Sequence, residues 1–153
     1  MAVSAKELQR RIEGFTALCR AEGLKVTHQR TEIYRELART DEHPDALAIY
    51  RRVRRRIPSI SFDTVYRALR LLENKGVIRR VGTPADSAQF DANRETHHHF
   101  VCSACGAVRD FRCTAFDALE APAAARQIGT PDSLRVEVRG VCAECARRRA
   151  RAR

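Results

Sequence analysis

The 153-residue chain has no long hydrophobic run and no sign of an export signal. No apolar stretch approaches the roughly 20 residues that a membrane-spanning helix needs, so we expect no membrane segment. The N-terminal stretch MAVSAKELQRRIEGF is charged from its sixth residue and lacks an apolar signal region, so a cytoplasmic protein is expected. Without an export signal, the six cysteines are not expected to form a disulfide framework.

Negative charge is also scarce, because 29 lysines and arginines stand against 19 acidic residues. The resulting net charge of +10 favours a polyanionic partner, nucleic acid before a membrane surface. Ribosomal and membrane-surface proteins share this property, so charge alone does not identify the partner. A hydrophobic content of 44% is sufficient for a folded core.

Apolar residues at helical spacing predict four helices in the first half of the chain. The first ends near Gly23, and the second is capped by Thr27. The third covers residues 44–56 and places its arginines outward. The fourth follows Ser61 as N-cap and ends before Gly76, which suits the position just past a helix.

After the fourth helix the spacing changes to that of strands, at residues 77–81 and 88–90, joined by the turn-rich GTPADS. Four helices and a two-stranded hairpin are the outline of a winged helix-turn-helix. The polar segment 91–96 is a candidate hinge.

The remaining sequence predicts a smaller domain of mixed structure. Strands are expected at 98–101, 107–111 and 134–141. A helix is expected over 114–127, which Pro122 should break or kink. The basic tail ARRRARAR is expected to be disordered. The fold class is therefore α+β, with a winged helix-turn-helix at 1–90, a hinge at 91–96 and a small α/β domain at 97–153.

Two Cys-x-x-Cys pairs give the most specific signal: Cys102 with Cys105, and Cys142 with Cys145. Two such turns complete a tetrahedral zinc site, and a site filled by four thiolates leaves no position for water. Such a site is structural. The alternative is a redox dithiol, but a thioredoxin-like motif occurs once, at a helix start. Cys19 and Cys113 stand alone and are interpreted as packed or idle thiols.

Three consecutive histidines precede the first cysteine pair. On a strand, His97 and His99 share one face and His98 points to the other. The carboxylates of Asp91 and Asp110 are near enough in sequence to reach the same point. Imidazole with carboxylate suits Fe(II), Mn(II), zinc or nickel. Histidines paired with carboxylates on a solvated strand are the alternative.

The fourth helix is the candidate reader of DNA, because it is the second helix of the helix-turn-helix. Arg67 or Arg70 would form hydrogen bonds with guanine, and the ring of Tyr66 would contact a thymine methyl group. Thr64 lies beside them near the start of the helix. Arg79 and Arg80 of the wing would contact phosphates.

The chain resembles the ferric uptake regulator (Fur) family of bacterial metal-dependent repressors. The matching segments follow one another along most of the chain: GLKVTHQR at 23–30, HPDALAIYRRV at 43–53, SFDTVYRALRLLENKGVI at 61–78, QFD at 89–91, HHHFVCSACGAVRDF at 97–111 and RGVCAEC at 139–145.

The resemblance implies a homodimer that binds a palindromic operator in double-stranded DNA. It also implies structural zinc on the four paired cysteines and a regulatory Fe(II) or Mn(II) between the two domains. The implied ligands of that regulatory metal are His43, Asp91, His97, His99 and Asp110.

Both carboxylates of this implied set are aspartates, a pattern that resembles the family's peroxide-sensing branch. In that branch Fe(II) reduces hydrogen peroxide and a ligand histidine is oxidised, which by resemblance is His43 or His97. The closest alternative is an iron-responsive uptake regulator, a branch in which Arg67 is more typical. A third hypothesis is an enzyme, either a thiol oxidoreductase or a zinc hydrolase.

Overall fold

The computed structural model describes residues 3–82 and 88–151. The chain divides into two compact units, Met1–Arg94 and Glu95–Arg153. The first contains four helices and a two-stranded sheet, and the second contains a three-stranded sheet with three helices. This arrangement is the α+β fold that the sequence predicts. Among the described residues, no helix is both long and apolar enough to cross a membrane.

The four helices of the first unit begin where short polar side chains cap them. They are α1 (Ala5–Ala21), α2 (His28–Ala38), α3 (Ala46–Val53) and α4 (Phe62–Asn74). The predicted caps are confirmed: the Thr27 hydroxyl accepts from the amide of Arg30, and that of Ser61 from the amide of Thr64. Helix α3 is shorter than the predicted range of 44–56, because Asp45 caps it and residues 54–56 form a turn.

The core of the first unit joins all four helices to the two-stranded sheet. The rings of Phe15 from α1 and Tyr34 from α2 stack with centroids 4.2 Å apart. Leu69 from α4 and Phe90 from the sheet are fully buried in the same cluster. Burying side chains of this size contributes about 1.5–3 kcal/mol each, so α4 is held firmly against its neighbours.

The predicted wing is an antiparallel pair of short strands, β1 (Arg79–Val81) and β2 (Gln89–Asp91). The predicted GTPADS turn lies outside the described residues, apart from its first glycine. One prediction is wrong: Asp91 is not on a polar hinge but is the last residue of β2, where it is buried and pairs with Arg79. The strand hydrogen bonds therefore tie Asp91 to the first unit.

In the second unit, β3 (His98–Cys102) is the central strand. It pairs antiparallel with β4 (Val108–Phe111) and parallel with β5 (Glu137–Gly140). Between β4 and β5 the chain forms α5 (Thr114–Asp117) and α6 (Ala123–Ile128), interrupted as predicted before α6 at Pro122. The sheet thereby carries the histidine run and places both cysteine pairs at one end.

The basic tail is helical where the structure describes it, so the prediction of disorder is wrong for residues 146–151. Helix α7 (Ala143–Arg151) begins within the second cysteine pair. Its arginines lie in the last turns, where positive charge interacts favourably with the helix dipole. The Arg148 guanidinium also pairs with Glu144 one turn earlier. These local interactions explain helix formation by a segment with no buried side chains.

Candidate metal centres and nucleic-acid interface

The four paired cysteines meet at one end of the second unit's sheet. Cys102 ends β3, and the parallel register places Gly140 of β5 opposite it. This pairing brings the second cysteine pair, which follows β5, beside the first. The four sulfur atoms all lie within 4.8 Å of one another, and none forms a disulfide. Strand pairing therefore assembles a four-thiol cluster from segments 40 residues apart in sequence.

The surroundings of these thiols favour unequal ionisation. The backbone N–H of Cys142 donates to Cys102 Sγ over 3.3 Å, and this hydrogen bond lowers the pKa of Cys102 to about 6. Hydrogen bonds with Cys105 and Cys142 raise the pKa of Cys145 to about 12. Four crowded sulfurs ionise together only around a cation, and four thiolate ligands suit a closed zinc site.

His97, directly before β3, and His99, the second residue of β3, face the same side. Their Nε2 atoms are 3.0 Å apart. Asp110 lies opposite His99 in the β3–β4 register, with its Oδ1 3.4 Å from His99 Nε2 and 3.7 Å from His97 Nε2. The second unit thus brings three of the predicted ligands together. Two imidazoles and a carboxylate, without thiolate, suit Fe(II), Mn(II) or zinc.

His98 points the other way, as the strand alternation predicts. It is buried against Phe111 and Phe116, with ring centroids 5.6 and 5.3 Å from its own. Its Nε2 lies 3.0 Å from Asp117 Oδ1 on α5. This contact was not predictable from the sequence, because the partner is 19 residues away and belongs to no motif. His98 therefore anchors α5 to the sheet.

In the first unit, the structure places His43 and Asp91 next to each other. Both are buried, with His43 Nε2 3.8 Å from Asp91 Oδ1. The segment after His43 is bound to β2, because the amide of Phe90 donates to the carbonyl of Pro44 over 3.2 Å. His43 has φ +50°, and among the described residues no other non-glycine residue has a positive φ. Backbone strain of this kind concentrates at functional sites.

The predicted DNA-reading residues lie on the outer side of α4. Tyr66, Arg67 and Arg70 are exposed, whereas Thr64 is half-buried. Arg67 Nη2 is 2.6 Å from Asp63 Oδ2, so its guanidinium is oriented by the preceding turn. The apolar side of the same helix packs in the core. Sequence reasoning missed Phe62, which is 42% exposed and stacks on Tyr66 with centroids 6.2 Å apart.

With the fold and these clusters established, comparison with known proteins decides the family. The model of the ferric uptake regulator family matches residues 21–138. The chain belongs to the ferric uptake regulator family. Members of this family are metal-responsive transcriptional regulators, so the chain is such a regulator and not an enzyme.

Relatives of this Fur-family chain respond to different signals. It is 31% identical to the peroxide-responsive repressor PerR of Staphylococcus aureus, over 95% of this chain and 98% of that protein. A solved zinc-bound manganese uptake regulator is 30% identical, with a TM-score of 0.63 and coverage of 84% and 98%. The Campylobacter jejuni peroxide stress regulator is 26% identical, with a TM-score of 0.65 and coverage of 85% and 98%.

Proposed function

We propose that this Fur-family regulator is a DNA-binding repressor that senses hydrogen peroxide through a regulatory Fe(II). The observation that supports the proposal is the composition of two clusters of candidate metal ligands, one in each unit, which we call the half-sites of the regulatory metal. His97, His99 and Asp110 meet within the second unit, and His43 and Asp91 meet within the first. Both carboxylates are aspartates, as in the peroxide-sensing pattern, and the 31% identity to PerR supports the same branch.

The five residues of the half-sites are the proposed regulatory ligands. Ligands from both units on a single Fe(II) or Mn(II) would favour one orientation of the DNA-binding unit over all others. Binding shifts a conformational equilibrium only by its preference for one state. A preference of about 10,000-fold, or about 5.5 kcal/mol, converts a mostly open population into a mostly closed one. Loss of one ligand reverses this shift.

The DNA-binding state is proposed to be a cytoplasmic homodimer that presents two α4 helices to a palindromic operator. Thr64, Tyr66, Arg67 and Arg70 are its proposed DNA contacts. The second unit has apolar side chains for a second copy to cover: Leu134, Val138 and Val141 are each at least 37% exposed. Zinc on the four cysteines is proposed to stabilise this unit, which has few buried apolar side chains of its own.

Oxidation is proposed to disable the regulatory site at His43 or His97. When bound, Fe(II) supplies the reaction with hydrogen peroxide: one peroxide oxygen is added to the imidazole ring and the other leaves as water. An oxidised imidazole is a poorer ligand, so the five-residue set loses a member. The four cysteines, occupied by zinc, are protected from the same oxidant, because the free thiolate is the reactive form.

An iron- or manganese-responsive uptake regulator is the second candidate. The 30% identity to the zinc-bound manganese uptake regulator favours it, because that likeness extends over 84% of the chain. Arg67, more typical of the iron-uptake branch, also favours it. The two candidates share the ligand set and differ in whether peroxide modifies it.

Peroxide treatment of the Fe(II)-loaded protein tests the proposal. Trypsin places His43 in peptide 40–51 and His97 in peptide 95–109. We expect a mass gain of one oxygen in one or both peptides, assigned by fragmentation to His43 or His97, with parallel loss of DNA binding. Peptide 26–30, which contains exposed His28, is expected to stay unmodified, as is Mn(II)-loaded protein. Unmodified His43 and His97 would support the uptake regulator.

A further inference from the structure

Four of the five arginines in segment 51–56 form two pairs that lie in different environments. Arg52 and Arg56, four residues apart, turn toward carboxylates. Arg56 Nη1 lies 2.9 Å from Glu32 Oε2, and Arg52 Nη2 lies 4.0 Å from Glu42 Oε2. Glu32 is buried and is paired with both Arg35 and Arg56, and a buried carboxylate needs such partners for stability. This pair of arginines therefore has a structural role.

Arg51 and Arg54 lie three residues apart, on the same side of the helical backbone. The amide of Arg54 still donates to the carbonyl of Tyr50, which keeps the helical spacing to this residue. Both arginines are exposed. In the described part of the chain neither forms an ion pair with a carboxylate. Their positive charge is therefore available to a partner, unlike that of Arg52 and Arg56.

A chain of aromatic contacts connects Arg54 to the DNA-reading helix. The Arg54 guanidinium lies 5.9 Å from the ring centroid of Tyr50. The Tyr50 ring meets Phe62 edge-on at 5.7 Å, and Phe62 stacks on Tyr66 at 6.2 Å. Phe62 and Tyr66 are exposed on α4. The charge on α3 and the outer side of α4 thus belong to one continuous surface.

We propose that Arg51 and Arg54 bind two phosphates of the DNA whose bases α4 reads, an inference that rests on the proposed DNA-binding function. The first helix of a helix-turn-helix crosses the DNA backbone, and α3 is that helix here. Guanidinium groups bind phosphate oxygens through bidentate hydrogen bonds. Such contacts set the position of the protein on the duplex and do not distinguish sequences.

Salt dependence of DNA binding tests the proposal. The probe is a duplex selected from a random pool by the Mn(II)-loaded parent, together with a scrambled duplex of equal length. For the double variant Arg51→Gln/Arg54→Gln we expect the slope of log affinity against log salt to become shallower by about two for each protomer, and therefore by about four for the dimer. The loss should be equal on both duplexes, so the ratio of the two affinities should stay at the parent value.

Two matched double variants distinguish loss of the proposed phosphate contacts from loss of net charge and from loss of folding stability. Arg147→Gln/Arg149→Gln removes the same charge from exposed positions of α7 and should leave the slope unchanged. Arg52→Gln/Arg56→Gln should lower the melting temperature, whereas Arg51→Gln/Arg54→Gln should not. The proposal is overturned if Arg51→Gln/Arg54→Gln has the same salt slope as the parent. It is also overturned if the α7 variant shows an equally large change in slope, or if the ratio of affinities for the two duplexes changes. If the parent protein binds DNA equally well with and without Mn(II), that result contradicts the proposed regulatory function instead.

Discussion

Replacing Cys102 with serine is expected to unfold the second unit and release its proposed zinc. Cys102 is buried at the end of β3, where it joins the two cysteine pairs. Among the described residues of this unit, Val101 and Val108 are its only buried aliphatic side chains. So small a core supplies little stability, whereas zinc binding to a four-ligand site contributes about 10–16 kcal/mol in zinc-finger peptides. A serine hydroxyl does not replace the missing thiolate.

Metal content and thermal unfolding measure this effect together. The parent should hold one zinc ion per chain in the presence of reductant, and Cys102→Ser should hold much less and lose the unfolding transition of the second unit. Cys113→Ser is the matched control, because the same change is made at a half-buried cysteine outside the cluster. It should retain both zinc and the transition. A Cys102→Ser protein with parent-like zinc content and melting would refute the structural role of the cluster.

Local signals were enough to predict the helices of the first unit. Thr27 and Ser61 are both hydroxyl residues directly before an apolar pattern, and each caps the helix expected from it. Gly76 has φ +66°, a left-handed conformation that glycine adopts without strain. These features depend on residues within one or two turns of each other, which is the range that sequence patterns report.

Features set by distant contacts were not predictable in the same way. Asp91 lies in a polar sequence, yet pairing with β1 and packing near His43 make it a buried strand residue. The parallel pairing of β3 with β5 joins segments about 40 residues apart, and no spacing rule specifies it. For α7, composition suggested disorder, but a favourable dipole interaction and an i,i+4 ion pair support a helix.

The candidate site residues show the same difference between features set by local sequence and features set by distant contacts. Strand alternation was enough to predict that His97 and His99 share a face while His98 does not. The place of His43 came only from resemblance, because its contact with Asp91 depends on a left-handed backbone and a bridge to β2. Sequence spacing reports neither feature.

Changing His97 to alanine is expected to abolish metal-dependent DNA binding without unfolding the protein. Removal of this imidazole leaves His99 and Asp110 as the proposed ligands of the second unit. Substitutions of residues that merely support a metal ligand reduce metal affinity by 10–100-fold, so loss of a ligand should reduce it by at least about 100-fold. Duplex binding measured with and without Mn(II) should then be nearly equal.

The neighbouring histidine provides the control for this prediction. His98→Ala removes an adjacent imidazole from the same strand, but one that packs on Phe111 and Phe116. This variant should melt at a lower temperature and still bind DNA in response to Mn(II). Parent-like Mn(II) stimulation in His97→Ala, or its loss in both variants, would contradict the proposed division between the two faces of β3.

His43→Asn extends the test to the first unit while preserving its backbone. Asparagine adopts positive φ more readily than most residues, so it suits the conformation at position 43 and lacks the imidazole. We expect parent-like melting and zinc content, together with loss of Mn(II)-dependent DNA binding, as in His97→Ala. Because the two histidines belong to different units, loss of the response in both variants is the result that a shared metal requires. Retention of the response in His43→Asn alone would restrict the regulatory metal to the second unit and remove the proposed link between metal binding and DNA binding.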